Sequence, residues 1–245
     1  MNKYKNFFAI IILFLSSVLI FTACINIGDN LITPSGSIIS DTYDFGSFSG
    51  VDIGGVFEIH YSYSSNYSIR ISMHENLFAN LDISNNNGIL EINLNNVNFS
   101  NANIPILHIN APTLSSIDIS GAATFHAMSP IENNHLSIMM SDAAEILQLE
   151  LNVEDFYMTL SGAAEASLTG NASDVNISSS GSADVHALNL HTNNANISSS
   201  GASTVNITVL DSLNVHSSGT STVNFRGDAS VNSHATGSSS VNNIN

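Results

Sequence analysis

The sequence predicts an all-β solenoid in which each coil takes about 18–21 residues. A small turn recurs seven times in the second half of the chain, first as Ser120-Gly121-Ala122-Ala123 and last as Thr236-Gly237-Ser238-Ser239. The second residues of the turns are spaced by 21, 20, 19, 20, 18 and 18 positions, at Gly121, Asp142, Gly162, Gly181, Gly201, Gly219 and Gly237. Short runs of alternating apolar and polar residues separate the turns, and no long amphipathic stretch indicates a helix. Together these features predict about ten stacked coils.

The N-terminus has the layout of an export signal rather than of a folded segment. Two lysines precede an apolar run over residues 7–21, and Phe21-Thr22-Ala23-Cys24 places small residues before the only cysteine. This cysteine resembles that of the bacterial lipoprotein lipobox, which becomes the lipidated first residue. We therefore predict a signal peptide over 1–23, an acylated (palmitate-bearing) Cys24 and a flexible tether over 24–40. The alternative is an uncleaved membrane anchor, for which the run falls short of the roughly 20 residues that a spanning helix needs.

The charge of the mature chain excludes whole classes of partner. Once residues 1–23 are removed, Arg70 and Arg226 face 20 acidic residues, a formal net charge of −18. Two cations cannot neutralise a phosphate backbone, so nucleic acid is not an expected partner. The same shortage argues against electrostatic docking on an anionic membrane. The expected attachment to the membrane is therefore the N-terminal lipid, which predicts an extracytoplasmic protein anchored at the bacterial cell envelope or surface.

Residues 41–245 are predicted to form one domain, whose first part is less regular than the rest. Alternating patterns predict short strands at Val51–Ile53, Val56–Tyr63, Tyr67–Met73, Leu90–Leu94 and Ile106–Ile109. Asn85-Asn86-Asn87-Gly88 predicts a hairpin turn, because Asn and Gly tolerate positive φ. One short helical turn is expected between His74 and Leu81.

From Leu114 onward, alignment on the turns produces columns of like residues. Positions two, four and six residues from the turn are apolar or small, and the positions between them are polar, so one face of each strand is predicted to point inward. Stacking at about 4.8 Å would merge these columns into a continuous core. Two columns carry asparagine in successive coils and predict amide ladders, at Asn176, Asn196, Asn214 and Asn232, and at Asn206, Asn224 and Asn242.

The order of these segments resembles a known bacterial family. The repeated Ser-Gly turns, the upstream Phe48-Ser49-Gly50-Val51-Asp52-Ile53 and the stretch from His74 to Ile92 are similar to the domain called "putative auto-transporter adhesin, head GIN domain". The resemblance covers about residues 41–243. It implies a right-handed parallel β-helix on exported or lipid-anchored proteins, with no established enzymatic activity.

Two sets of side chains are candidates for ligand binding. Three carboxylates follow successive turns at the same offset, Glu145, Glu165 and Asp184, and could supply oxygen ligands to Ca²⁺. The alternative is that they lie free in water, as surface carboxylates usually do. Tyr61, Tyr63 and Tyr67 cluster in one segment and could contact sugars or proteins, although packing in the core would suit tyrosine equally well.

Enzyme motifs are missing from the sequence. It contains no Gly-x-Ser-x-Gly elbow, no His-Glu-x-x-His and no phosphate-binding glycine loop. A carboxylate pair such as Glu91 and Asp118 leaves a carbohydrate-active enzyme open as an alternative. A structural or envelope-stress component without a small ligand is the other alternative. The favoured interpretation is a non-enzymatic envelope lipoprotein that binds a glycan or a protein, without a cofactor unless Ca²⁺ binds.

Overall fold

The computed structural model describes residues 31–99 and 103–245, which form a β-helix of about six turns with almost no helix. The strands before the regular repeats are β1 Ile38–Tyr43, β2 Gly50–Gly55, β3 Glu58–Tyr63, β4 Ser68–His74, β5 Leu81–Asn86, β6 Ile89–Leu94 and β7 Ile106–Ala111. The strands of the repeats are β8 Ser116–Gly121, β9 Thr124–Ala127, β10 Ile131–Met140, β11 Glu145–Leu160, β12 Glu165–Ser179, β13 Asp184–Ser199, β14 Thr204–Ser217, β15 Thr222–Arg226, β16 Ser230–Ala235 and β17 Ser240–Asn243. A 3₁₀ helix, Glu75–Asn80, follows β4.

The recurring turn forms one corner of each coil, as predicted. All seven predicted corner residues have positive φ, and Asp142, at 62°, adopts the left-handed conformation that Gly adopts elsewhere. The corners stack directly: the amide of Ala163 donates to the carbonyl of Asp142, and that of Ser182 to the carbonyl of Gly162. Parallel pairing keeps the arms on either side of the corner in register, as in Met158↔Ile177. Each corner therefore fixes the alignment of two arms with the coil below.

The predicted inward columns form the core. Four residues before the corners, the buried side chains are Ile117, Ile138, Met158, Ile177, Ile197 and Val215. Four residues after the corners they are Phe125, Ile146, Ala166, Val185, Val205 and Val223. No single coil encloses these side chains, so they are removed from water only by the coils above and below.

Both predicted asparagine ladders are present. Asn196 Nδ2 donates to Asn176 Oδ1 at 3.1 Å, and Asn214 Nδ2 donates to Asn196 Oδ1 at 3.2 Å. In the second ladder, Asn224 Nδ2 donates to Asn206 Oδ1 at 2.9 Å. Each amide satisfies part of its neighbour's hydrogen-bonding capacity along the axis, which is the structural role expected of such ladders.

The strands before the repeats differ from the prediction in their order in space. β2 lies between β6 and β8, and β3 lies between β7 and β9, although β6 and β7 come later in the chain. β1, β4 and β5 pair antiparallel, with β1 on β4, β4 on β7 and β5 on β6. These strands cover one end of the helix rather than adding coils to it, so the predicted ten coils are too many.

The local predictions in this region are confirmed. The five predicted strands correspond to β2, β3, β4, β6 and β7. The hairpin between β5 and β6 turns on Asn87 and Gly88, with φ of 53° and 85°. The start of the domain is corrected, because residues 38–40, assigned to the tether, belong to β1 and pair with β4. Ser35 is also held to the domain, since its amide donates to Asn76 Oδ1.

Candidate functional site

The three tyrosines proposed for ligand binding have different surroundings. Tyr61 is 1% exposed, its ring lies 6.4 Å from that of Phe125, and its hydroxyl donates to the carbonyl of Ala111 at 3.3 Å. It belongs to the core, because alternation along β3 turns it inward. The prediction that Tyr61 contacts a ligand is therefore wrong. Tyr67 packs against Phe48 at a ring distance of 5.1 Å. Tyr63, at the end of β3, is 64% exposed and is the most accessible of the three tyrosines.

Tyr63 lines a surface recess of about 410 Å³ together with Pro112, Ser129, Pro130 and Glu132. Its backbone amide donates to Ser129 Oγ at 3.2 Å, which joins the end of β3 to the loop after β9. A second depression of about 280 Å³ shares Ser129 and Pro130 and is also lined by Met128, Gln148 and Glu150. The recess therefore combines an exposed aromatic ring, two prolines, a carboxylate and a hydroxyl.

A second concave surface follows the first asparagine ladder. It is an open groove of about 500 Å³, lined by Thr159, Ser178, Ser198 and His216 beside the ladder asparagines. Tyr157 stands at one end, 43% exposed, with its ring 5.1 Å from that of His135. The repeat analysis identified the asparagines but not Tyr157, because Tyr157 occurs once in its column, between serines in the earlier coils and asparagines in the later ones.

The carboxylates proposed for Ca²⁺ are aligned, but they do not form a ligand cluster. Glu145 pairs with Glu165, and Glu165 with Asp184, on three successive strands. Glu165 Oε1 lies 3.2 Å from His186 Nε2. Across the part of the chain that the structure describes, no three His, Cys, Asp or Glu side chains come together in a way that could hold a metal ion. The Ca²⁺ site remains a prediction without geometric support.

A second carboxylate ladder runs across β6, β2 and β8. Asp52 on β2 lies between Glu91 on β6 and Asp118 on β8, so the pair considered for carbohydrate chemistry is separated by a third carboxyl. Burial and then Glu91 raise the pKa of Asp52, and burial and then Asp52 raise the pKa of Asp118. Because the pKa values of Asp52 and Asp118 are higher in the folded chain than in the unfolded chain, ionisation of these carboxyls lowers the free energy of unfolding at pH values above the ordinary carboxyl range. At pH values below that range both carboxyls are protonated in either state, and the loss disappears.

The sequence could not reveal such clusters, because they depend on which strands are neighbours. Asp52 and Glu91 are far apart in the chain and share no repeat offset. The same holds for His60 and His108, which pair across β3 and β7. The predicted signal peptide and Cys24 lie outside the described residues. Within residues 31–99 and 103–245, no helix has both the length and the hydropathy required to cross a membrane.

Comparison with known proteins identifies a family and a set of similar folds. The family model described as "putative auto-transporter adhesin, head GIN domain" matches residues 47–229. A search of curated proteins found no match.

Among solved structures, a putative adhesin from Bacteroides fragilis superimposes with a TM-score of 0.75 at 21% identity, covering 87% of this chain and 100% of the other. A putative adhesin from Parabacteroides merdae gives 0.70 at 18%, covering 88% and 100%. A putative lipid binding protein from Parabacteroides distasonis gives 0.72 at 17%, covering 87% and 99%. At these identities the similarity concerns the fold.

Proposed function

Because this chain belongs to the putative auto-transporter adhesin, head GIN domain family, we propose that it is an exported, lipid-anchored surface protein that binds a glycan without catalysing a reaction. The structural neighbours described as putative adhesins support a surface role. The layout of the first 24 residues supports export and acylation at Cys24.

The observation that carries the binding proposal is the exposure of Tyr63 in its recess. A large aromatic ring normally loses most of its contact with water on folding, whereas this one is 64% exposed. The ring is rigid and amphipathic, so it can stack on an apolar face of a ligand at little cost in conformational entropy. Glu132 and Ser129 lie in the same recess and can hydrogen-bond hydroxyl groups. Stacking combined with hydroxyl recognition suits a sugar.

The test is a binding array of neutral and acidic glycans, with phospholipids and envelope proteins as further arms, using the purified protein and its variant Tyr63→Ala. We expect a glycan ligand whose affinity falls at least about tenfold in Tyr63→Ala, since loss of a central aromatic contact usually costs more than 1 kcal/mol. Tyr157→Ala is the matched control, because it removes another exposed tyrosine from a different surface. Binding to no glycan, or equal loss in both variants, would contradict the proposal.

The anchor is tested separately, by fractionation of cells that express Cys24→Ala. We expect the wild-type chain to remain with membranes after alkaline washing and the variant to appear in the soluble extracytoplasmic fraction, because acyl chains would be its attachment. If the variant still pellets with membranes in alkali, the lipid on Cys24 is not the anchor.

A further inference from the structure

Three imidazoles and a guanidinium form a line across β4, β7, β3 and β9. Arg70 on β4 pairs with His108 on β7, His108 with His60 on β3, and His60 with His126 on β9. The ring of His60 is nearly parallel to its neighbours, 5.2 Å from His108 at 23° and 4.9 Å from His126 at 14°. All three imidazoles are half-buried and Arg70 is exposed. We call these four residues the imidazole column.

The groups around the column are mostly uncharged. Its ends continue into Thr42 on β1 and Gln148 on β11. Glu58 touches it, with Oε1 at 2.9 Å from His60 Nε2, and Glu145 lies one strand beyond Thr124 in the same row as Glu58. On β11, the exposed Glu150 follows Gln148 by two residues and lines a depression with Met128. The other flanking positions on β4, β7 and β3, and within and just after β9, carry no charge, namely Ser68, Asn110, Ser62, Met128, Ser72, Ile106 and Thr124.

We propose that the imidazole column is a proton-gated binding site for an oxyanion group, such as a sulfate, phosphate or carboxylate carried by a larger ligand. While the imidazoles are neutral, the charge of Arg70 is offset by that of Glu58. Each proton that a histidine gains adds a positive charge next to another one. An oxyanion offers several acceptor oxygens, so it can take N–H bonds from neighbouring rings and relieve their mutual repulsion.

The rest of the molecule makes this position distinctive. The chain has four lysines and arginines, of which two lie in the first five residues, and the column holds one of the other two together with three of the nine histidines. Burial, then Arg70 and His60, lower the pKa of His108, as expected where positive charges are placed close together. A bound anion would reverse that repulsion. The inference does not depend on glycan binding at Tyr63, because the two sites use different residues.

The experiment titrates the purified protein with sodium sulfate at pH 5.5 and 7.5, at constant ionic strength maintained with chloride, and follows the imidazole NMR signals. We expect at least about tenfold tighter binding at pH 5.5, with the signals of His60, His108 and His126 shifting together. A sulfated oligosaccharide and vesicles containing phosphatidylglycerol form two further arms, and the stronger of them identifies whether a glycan or a lipid head group carries the anion.

Variants distinguish a built site from general charge. His60→Gln removes the middle ring, and we expect it to lose at least about tenfold in sulfate affinity at pH 5.5. His234→Gln is the matched control, since it removes one ring of the His216–His234 pair, 6.3 Å apart, in which no arginine continues the line. Glu58→Gln, which removes the competing carboxylate, should bind sulfate more tightly and serves if His60→Gln fails to fold. Absence of binding, equal affinity at the two pH values, or equal loss in both histidine variants would overturn the proposal.

Discussion

Gly181→Ala is expected to destabilise the β-helix by about 2–5 kcal/mol, through left-handed strain together with a clash against the neighbouring corner. Gly181 has a φ of 75°, a conformation that costs an L-residue roughly 1–2 kcal/mol. An added Cβ would also lie 2.5 Å from the carbonyl oxygen of Gly162 and 3.0 Å from its nitrogen. Both atoms are backbone, so the clash can be relieved only if a coil moves.

Gly46→Ala is the control that separates these two costs. Gly46 also has a positive φ, 70°, but nothing lies within 4 Å of the position that its Cβ would occupy. We therefore expect this variant to lose only the strain of about 1–2 kcal/mol. Urea unfolding followed by circular dichroism measures both variants. Equal losses would show that the close approach of stacked corners contributes nothing to the requirement for glycine.

The repeat part of the fold could be predicted from the sequence because its information is local and recurs. Each corner needs positive φ, which restricts its residue type, and each coil needs the same inward positions, which produces columns when the turns are aligned. Asp142 shows how specific the signal is, since even the exception to glycine adopts the same conformation, with a φ of 62°. The asparagine ladders were predictable for the same reason, because a ladder requires the same residue at the same offset.

The strands before the repeats could not be placed from the sequence, because chain order there is not spatial order. Nothing in the pattern of β3 indicates that it pairs with β7. The position of His60 beside His108 follows from that pairing. Gly55 is a sequence signal for part of this arrangement, because a glycine at a corner indicates a further coil. In the structure it pairs with Gly121 and extends the stack of corners by one coil.

Phe125→Ala is expected to cost about 3–5 kcal/mol, the usual range for removing a buried phenylalanine. Phe125 is fully buried, pairs with Ile59 on β3 and Ile146 on β11, and has its ring 6.4 Å from that of Tyr61. Its side chain thus lies where β3 packs on β9, the strand after the first recurring corner. Met128→Ala, just beyond the same strand, removes a side chain that is 65% exposed and should change the free energy of unfolding little.

The strands that pair with β9 predict where Phe125→Ala will lower protection against hydrogen exchange. Because each coil of a solenoid contacts only its neighbours, the amides of β3 and β11, which pair with the strand that carries Phe125, should exchange with solvent faster. Val223→Ala removes bulk from the same column near the other end, where β15 pairs with β14 and β17. Its effect on exchange should therefore stay in those strands. If Phe125→Ala left exchange in β3 unchanged, that strand would have to be held by its other neighbours, and Phe125 would not be the residue that joins the two parts of the domain.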